Sequence, residues 1–237
     1  MLLNKYVEVL LNILYPRHCP ACHRILKDQK MLICPECEQA FCRVGKDYCL
    51  KCGKPVKKQE EYCRECSGLC RSFDQGKSVF VYNGKLRQSL VRYKYYGCRE
   101  YGDYYADAIC RYMRRDIMRW QPDVIVPVPL TGRKQRLRGF NQSAYLADRV
   151  GEQFQIPVAH GLVKKIHNTK SQKKLNAAQR KRNLADAFRT EENIRGLTVL
   201  VIDDVYTTGS TVDAMARCLK AAGAEYVYFI TLCTGQQ

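Results

Sequence analysis

Apolar positions change rhythm twice along the chain. Residues 2–14 set Leu2, Leu3, Tyr6, Val9, Leu10, Ile13 and Leu14 mostly on one side of a short helix that Pro16 ends. That face is expected to pack against the segment that follows. Residues 17–70 hold no long apolar run and are rich in Cys, Lys, Glu and Pro, so they cannot build a core unaided. From Ser78 the texture is that of a globular domain. Residues 78–82 read as a strand, Asn83-Gly84 as a turn and residues 86–96 as a helix, and a longer helical pattern runs from Tyr101 to about Trp120. The β-branched run 123–128 predicts a strand buried on both faces, and apolar spacing over 141–154 predicts a helix starting near Asn141 or Gln142. The last third reads strand 198–202, helix 211–222 stopped by Gly223, strand 226–232. Strands alternating with helices predict an α/β fold: a parallel sheet flanked by helices, with a ligand crevice at the carboxyl ends of the strands. The division expected is 1–72 for the Cys-rich module with its helix and 76–237 for the α/β domain. No run approaches the roughly 20 apolar residues of a spanning helix.

Composition narrows the partners and the compartment. The 237 residues are 46% hydrophobic, enough for one medium-sized core and a small satellite. The formal charge of +17 asks for something anionic, whether nucleic acid, phosphorylated metabolites or lipid headgroups. Ten of the fourteen cysteines lie between Cys19 and Cys70. An export signal for a disulfide scaffold is not apparent, because Lys5 and Glu8 interrupt the apolar opening and no small-residue cleavage site follows. A cytoplasmic protein with reduced thiols is expected.

Eight of those cysteines form four Cys-x-x-Cys pairs: Cys19/Cys22, Cys34/Cys37, Cys49/Cys52 and Cys63/Cys66. Two such knuckles joined by a returning loop close a thiolate tetrahedron around zinc and leave no position for water, which makes the site structural. Two zinc ions are expected, with iron–sulfur clusters or redox dithiols as the alternatives. Crossed pairing of the knuckles, or a ligand drawn from Cys42, Cys70, His18 or His23, stays open. Cys98, Cys110, Cys218 and Cys233 fall within expected helices or strands and read as core residues.

A second constellation follows the strand at 198–202. Asp203 and Asp204 stand at its carboxyl end, and Thr207, Thr208, Gly209, Ser210 and Thr211 form a hydroxyl-rich turn opening a helix. Such a turn offers backbone N–H groups and a helix dipole to a phosphate monoester, and the paired carboxylates can accept hydrogen bonds from vicinal ribose hydroxyls. Gly76-Lys77-Ser78 imitates the tail of a P-loop, but Arg71 stands where that motif needs glycine, and no G-x-G-x-x-G occurs. From Thr131 to Arg182 thirteen Lys or Arg face two acids, so a net +11 of the charge lies there.

The run 199–211 resembles the signature of type I phosphoribosyltransferases for 5-phosphoribosyl-pyrophosphate (PRPP). With the CPxC knuckles, Cys52-Gly53-x-Pro55, Tyr82 with Lys94 downstream, residues 138–142 (RGFNQ) and Gln172 through Asn183, the chain is similar to the ComF family. The resemblance implies a double zinc ribbon before a type I phosphoribosyltransferase-like domain, PRPP binding with Mg2+ and a role in DNA uptake during natural competence. It implies a pyrophosphate loop around Pro129, Leu130 and Thr131, further PRPP contacts from Arg138, Lys164, Gln172 and Arg180, and a lid over 164–183. The resemblance implies a catalytic role for Lys165 beside Asp203 and Asp204, although many members have arginine where this chain has Lys164-Lys165. Its partners would be PRPP, single-stranded DNA and other competence proteins. The competing function is a nucleic-acid-binding accessory protein with a vestigial or regulatory PRPP site, for which Tyr93, Tyr95, Tyr96, Tyr101, Tyr104 and Tyr105 offer either stacking surfaces or helix packing.

Overall fold

The computed structural model describes residues 15–166 and 187–235. The helix expected over 2–14, most of the expected lid, and Gln172 and Arg180 lie outside them. The chain continues from the Cys-rich module through a one-turn helix α1 (Arg64–Ser67), β1 (Gln75–Val81), α2 (Gly84–Tyr95), α3 (Tyr101–Trp120), β2 (Val124–Pro127), α4 (Gly132–Arg138) and α5 (Gln142–Phe154). A two-residue hairpin pair, β3 (Lys164–Lys165) and β4 (Phe188–Arg189), precedes β5 (Thr198–Tyr206), α6 (Ser210–Ala221) and β6 (Tyr226–Thr234).

Four strands form a parallel sheet in the order β1-β6-β5-β2. Alternation along each strand feeds two cores. Ile125, Leu200, Ile202, Ile230 and Leu232 face α2, α3 and α5, whereas Val126, Val199, Val201, Val227 and Phe229 face α6. Burial on both faces explains why these strands read as continuous apolar runs rather than alternating ones.

Two boundaries differ from the sequence expectation. β5 extends past Ile202 to Tyr206 because β6 continues beside it to Thr234, pairing Asp203 with Thr231 and Val205 with Cys233. The two acids therefore sit inside a hydrogen-bonded strand, not beyond its end. Helix α4, unexpected from the sequence, begins where Thr131 accepts a hydrogen bond from the Lys134 N–H. Its Lys/Arg-rich sequence has no apolar stripe, so periodicity gave no signal.

The Cys-rich module wraps the open edge of β1. Val44 N–H donates to the Val79 carbonyl (3.0 Å) and Val81 N–H to that of Cys42 (2.8 Å), which occupies the edge groups of that strand. Phe41 joins the core on the α3 face, while Cys49, Cys52, Cys63 and Phe73 join the core on the α6 face. Gly76 faces Phe229 across the sheet, where a Cβ would fall 2.0 Å from that ring, and Phe229 in turn stacks on Tyr206 at 5.0 Å. No described helix is long and apolar enough to cross a membrane.

Candidate functional site

The cysteine pairs form two groups in chain order. Cys19, Cys22, Cys34 and Cys37 make one and Cys49, Cys52, Cys63 and Cys66 the other, with the sulfurs of each within 4.8 Å of one another. Sulfur separations of 3.4 to 3.6 Å approach the roughly 3.8 Å edge of a tetrahedron with 2.3 Å Zn–S bonds. The knuckles repeat one turn: His23 N–H donates to the Cys19 carbonyl and Gly53 N–H to that of Cys49, each at 2.8 Å and each with positive φ. The chemistry of the donor set also fits a cation. The Cys49 sulfur pushes Cys66 up to about 12 and Cys52 further in the same direction. Burial followed by neighbouring sulfurs raises Cys34. Four crowded thiolates need a divalent charge at their centre. His23 is engaged instead with the Tyr101 hydroxyl, and Cys42 and Cys70 are exposed outside both groups. Cys98 and Cys233 are buried as expected, and Cys110 and Cys218 are half-buried.

The second constellation lies at the carboxyl end of β5. Asp203 accepts hydrogen bonds from Ser143 Oγ (3.0 Å) and from the Asp204 N–H (2.9 Å), and Asp204 pairs with Lys94 Nζ at 2.5 Å. Burial first, and the adjacent Asp204 charge second, push the Asp203 carboxyl up to about 7. Lys165 is half-buried on β3. Burial lowers its ammonium first, the nearby Lys134 charge lowers it further, and Asp203 opposes both. The acid pair thus has Lys94 from α2 in contact with Asp204, while Lys165 feels the charge of Asp203.

Beyond Tyr206 the chain turns over Thr207, Thr208 and Gly209 into α6. Gly209 has φ +76°, and a Cβ there would fall 2.3 Å from the Tyr206 hydroxyl, so the position demands glycine twice over. Thr208 Oγ1 and Ser210 Oγ lie 2.8 Å apart, and the first helical bond that follows is Asp213 N–H to the Gly209 carbonyl. Among the described residues the N–H groups of Gly209, Thr211 and Val212 have no acceptor, an arrangement suited to an anion.

The other expected site residues fall around this centre. Pro129, Leu130 and Thr131 follow β2 in a loop tied down by Val128 N–H to the Ile202 carbonyl and by Asn141 Nδ2 to the Val128 carbonyl. Arg138 turns toward α2, donating to Gln142 Oε1 (2.7 Å) and the Tyr95 hydroxyl (2.9 Å). Lys164 is exposed on β3. Ser143 and Arg71, whose Nη2 donates to the Thr208 carbonyl at 2.8 Å, were not singled out as site residues from the sequence. They lie 60 and 137 residues from their partners, a separation over which no local pattern operates.

A cavity of about 400 Å³ is lined by Lys94, the partner of Asp204, by Val205 and Thr207 of the segment after the acid pair, and by Tyr82, Tyr95 and Arg138 among others; the two carboxylates are not in its walls. A larger one of about 1220 Å³ lies between α2 and the first cysteine group and has neither the acid pair nor the turn in its walls.

Two family models match separate parts of the chain. Residues 10–67 match the model of the double zinc ribbon domain and residues 105–237 that of the phosphoribosyl transferase domain. DNA utilization protein YhgH of Salmonella typhimurium is 32% identical over 233 residues, covering 92% of this chain and 97% of that one. Competence protein ComFC of Bacillus subtilis is 31% identical over 205 residues (81% and 79%), and Competence protein F of Haemophilus influenzae 27% over 216 (88% and 93%). Among solved structures, a purine phosphoribosyltransferase from Pyrococcus horikoshii shares 19% identity over 55% of this chain and 74% of its own, with a TM-score of 0.35.

Proposed function

We propose, for a chain that belongs to the ComF family of double-zinc-ribbon proteins with a phosphoribosyl transferase domain, that the Asp203-Asp204 pair and the turn after it bind PRPP with Mg2+ and transfer its phosphoribosyl group to an acceptor. The observation that carries this reading is an acid pair set shortly before a turn whose N–H groups have no acceptor among the described residues, with Lys94 paired to one of the acids. Thr207 to Thr211 take the 5-phosphate, and the two carboxylates accept from the ribose hydroxyls. Arrival of the ribose displaces Lys94 from Asp204. Lys164, Lys165 and the loop at Pro129 to Thr131 face the pyrophosphate. Mg2+, held near Asp203 and Asp204 and by the ligand, would supply further neutralisation of the leaving group. The carboxylates also favour the positive charge that develops at C1 as its bond to pyrophosphate breaks. The acceptor, a nitrogenous base or amine, attacks C1 from the 400 Å³ cavity, whose walls include Tyr82 and Tyr95.

The relatives' names, together with the +17 charge, support service in DNA uptake, and the clustered metal-type cysteines support a cytoplasmic setting. The expected tyrosine platform is smaller than six residues: Tyr93, Tyr101, Tyr104 and Tyr105 are buried core, whereas Tyr95 and Tyr96 are exposed near Arg92 on α2. That strip favours a second reading, a backbone-tracking contact with single-stranded DNA. Calorimetric titration with PRPP and Mg2+, repeated on Asp203→Asn/Asp204→Asn, separates the two. Micromolar-range binding lost in the double variant is expected. Silence in the unmodified protein, with DNA binding that falls steeply with salt and ignores the double variant, would replace the first reading by the second.

A further inference from the structure

The phosphate turn is held from outside its own domain. Arg71 follows the last knuckle of the second cysteine group, and its Nη2 donates to the Thr208 carbonyl at 2.8 Å. Among the described residues Arg71 forms no ion pair with an acid, and its Nε is buried without a partner, so the Thr208 carbonyl is the acceptor its guanidinium has. One residue on, Ser72 N–H donates at 2.8 Å to Oδ1 of Asp213, in the first turn of α6, and Asp213 is itself held by Arg217 at 2.7 Å. Tyr206 completes the joint. Its ring lies under Gly209 and is packed by Phe229, and its buried hydroxyl, unpartnered, is directed toward Cys52.

The geometry points to Arg71 as a positioning residue: the second zinc ribbon, through Arg71, sets the Thr208–Gly209 peptide so that the turn can receive a phosphate monoester. In a trans peptide the C=O and the following N–H point in opposite directions. Fixing the Thr208 carbonyl outward on Arg71 therefore aims the Gly209 N–H toward the inner side of the turn. It also diverts that carbonyl from the i→i−4 bond with Val212 N–H, which leaves a second donor free at the helix start. Without the arginine, the flexible Gly209 lets this peptide flip and the carbonyl, an anion-repelling group, occupy the inner side. The first cysteine group packs on the opposite face of the sheet and makes none of these contacts. The two ribbons are then unequal: only the second bears on the ligand.

This inference rests on the PRPP reading of the turn, and the test separates the two. Binding of ribose 5-phosphate and of inorganic pyrophosphate with Mg2+ is measured by calorimetry on the full zinc-loaded chain, for wild type, Arg71→Met and Arg71→Lys, with zinc content and melting temperature in parallel. Arg71→Met is expected to weaken ribose 5-phosphate by about tenfold to a hundredfold, the range for one charge-assisted hydrogen bond. Pyrophosphate affinity and two zinc per chain are expected to be retained. Arg71→Lys, still able to donate to the carbonyl, recovers part of the loss. Should Arg71→Met not fold, the same ligand ratio is read from Arg71→Lys, where a selective loss of ribose 5-phosphate supports the role. Equal loss of both ligands, or unchanged ribose 5-phosphate affinity in a folded variant, overturns the inference while leaving the site standing. A wild-type chain that binds no ribose 5-phosphate overturns the site and the inference together.

Discussion

Replacing Asp203 by Asn should make the ligand-free protein more stable and at the same time abolish PRPP binding. In the folded chain the carboxyl is raised from 3.8 to about 7, first by burial and then by the Asp204 charge. The native state therefore keeps a proton that the unfolded chain releases. Because the folded value lies above the unfolded one, the group costs stability progressively as pH rises from about 4 to about 7, and the cost is constant above that. A shift of about three units corresponds to an upper limit of roughly 4 kcal/mol. Solvent reaching a half-buried carboxylate reduces this to about 1–3 kcal/mol. Asn keeps an Oδ1 that accepts from Ser143 Oγ and the Asp204 N–H, so no bond is forfeited. For a chain of this size each kcal/mol moves the melting temperature by about 2–4 °C. Thermal melts of the zinc-loaded, ligand-free protein from pH 5 to pH 8 should show the gap between wild type and Asp203→Asn narrowing toward the acid end and the variant several degrees higher at pH 8. A variant that melts lower at pH 8, or a difference independent of pH, refutes the claim that this carboxylate is ionised against a desolvation cost.

Further consequences can be measured directly. Binding of PRPP and Mg2+ at pH 6 should release protons, since the ligand needs Asp203 ionised; titrations in two buffers of different ionisation enthalpy would agree with each other if it does not. Lys94→Met should cost about 1–3 kcal/mol by leaving Asp204 unpaired, and adding Asp204→Asn should restore most of it; a double variant no more stable than the single one in denaturant melts removes the ion pair from the account. Elemental analysis should give two zinc per chain, and Cys52→Ser, in a fully buried position, should lower both the zinc content and the melting temperature. Gly209→Ala should reduce ribose 5-phosphate affinity without loss of zinc, because its Cβ would fall on Tyr206 at 2.3 Å; unaltered affinity would show that the turn's backbone is not a ligand.

The legible parts of this chain were those set by short-range pattern. The cysteine knuckles, the buried strands and the Asp203 to Thr211 run announce themselves within a few residues, because metal-ligand spacing, strand burial and turn chemistry are local constraints. What escaped was set by distance. The end of β5 depends on β6 continuing beside it, and the roles of Ser143 and Arg71 depend on packing that joins segments 60 and 137 residues apart. Helix α4 escaped for another reason: it is capped by Thr131 and has no buried residue, so no periodicity could mark it. Arg71 appeared in the sequence only as the residue that spoils a P-loop; its place at the Thr208 carbonyl emerged from the fold.

The wrapped edge of β1 has a consequence for biosynthesis. β1 ends at Val81, whereas its sheet partner β6 begins only at Tyr226 and is made long after it. At about 5–20 residues per second, the strand waits roughly 7–30 seconds for that partner. During that interval the segment Cys42 to Val44, already synthesised and braced by the cysteine knuckles on either side, is available to occupy one edge of the strand. Zinc supply at the ribosome then governs more than a static fold. A nascent chain short of metal presents an apolar strand with both edges open, and its yield of soluble protein falls before any ligand is needed.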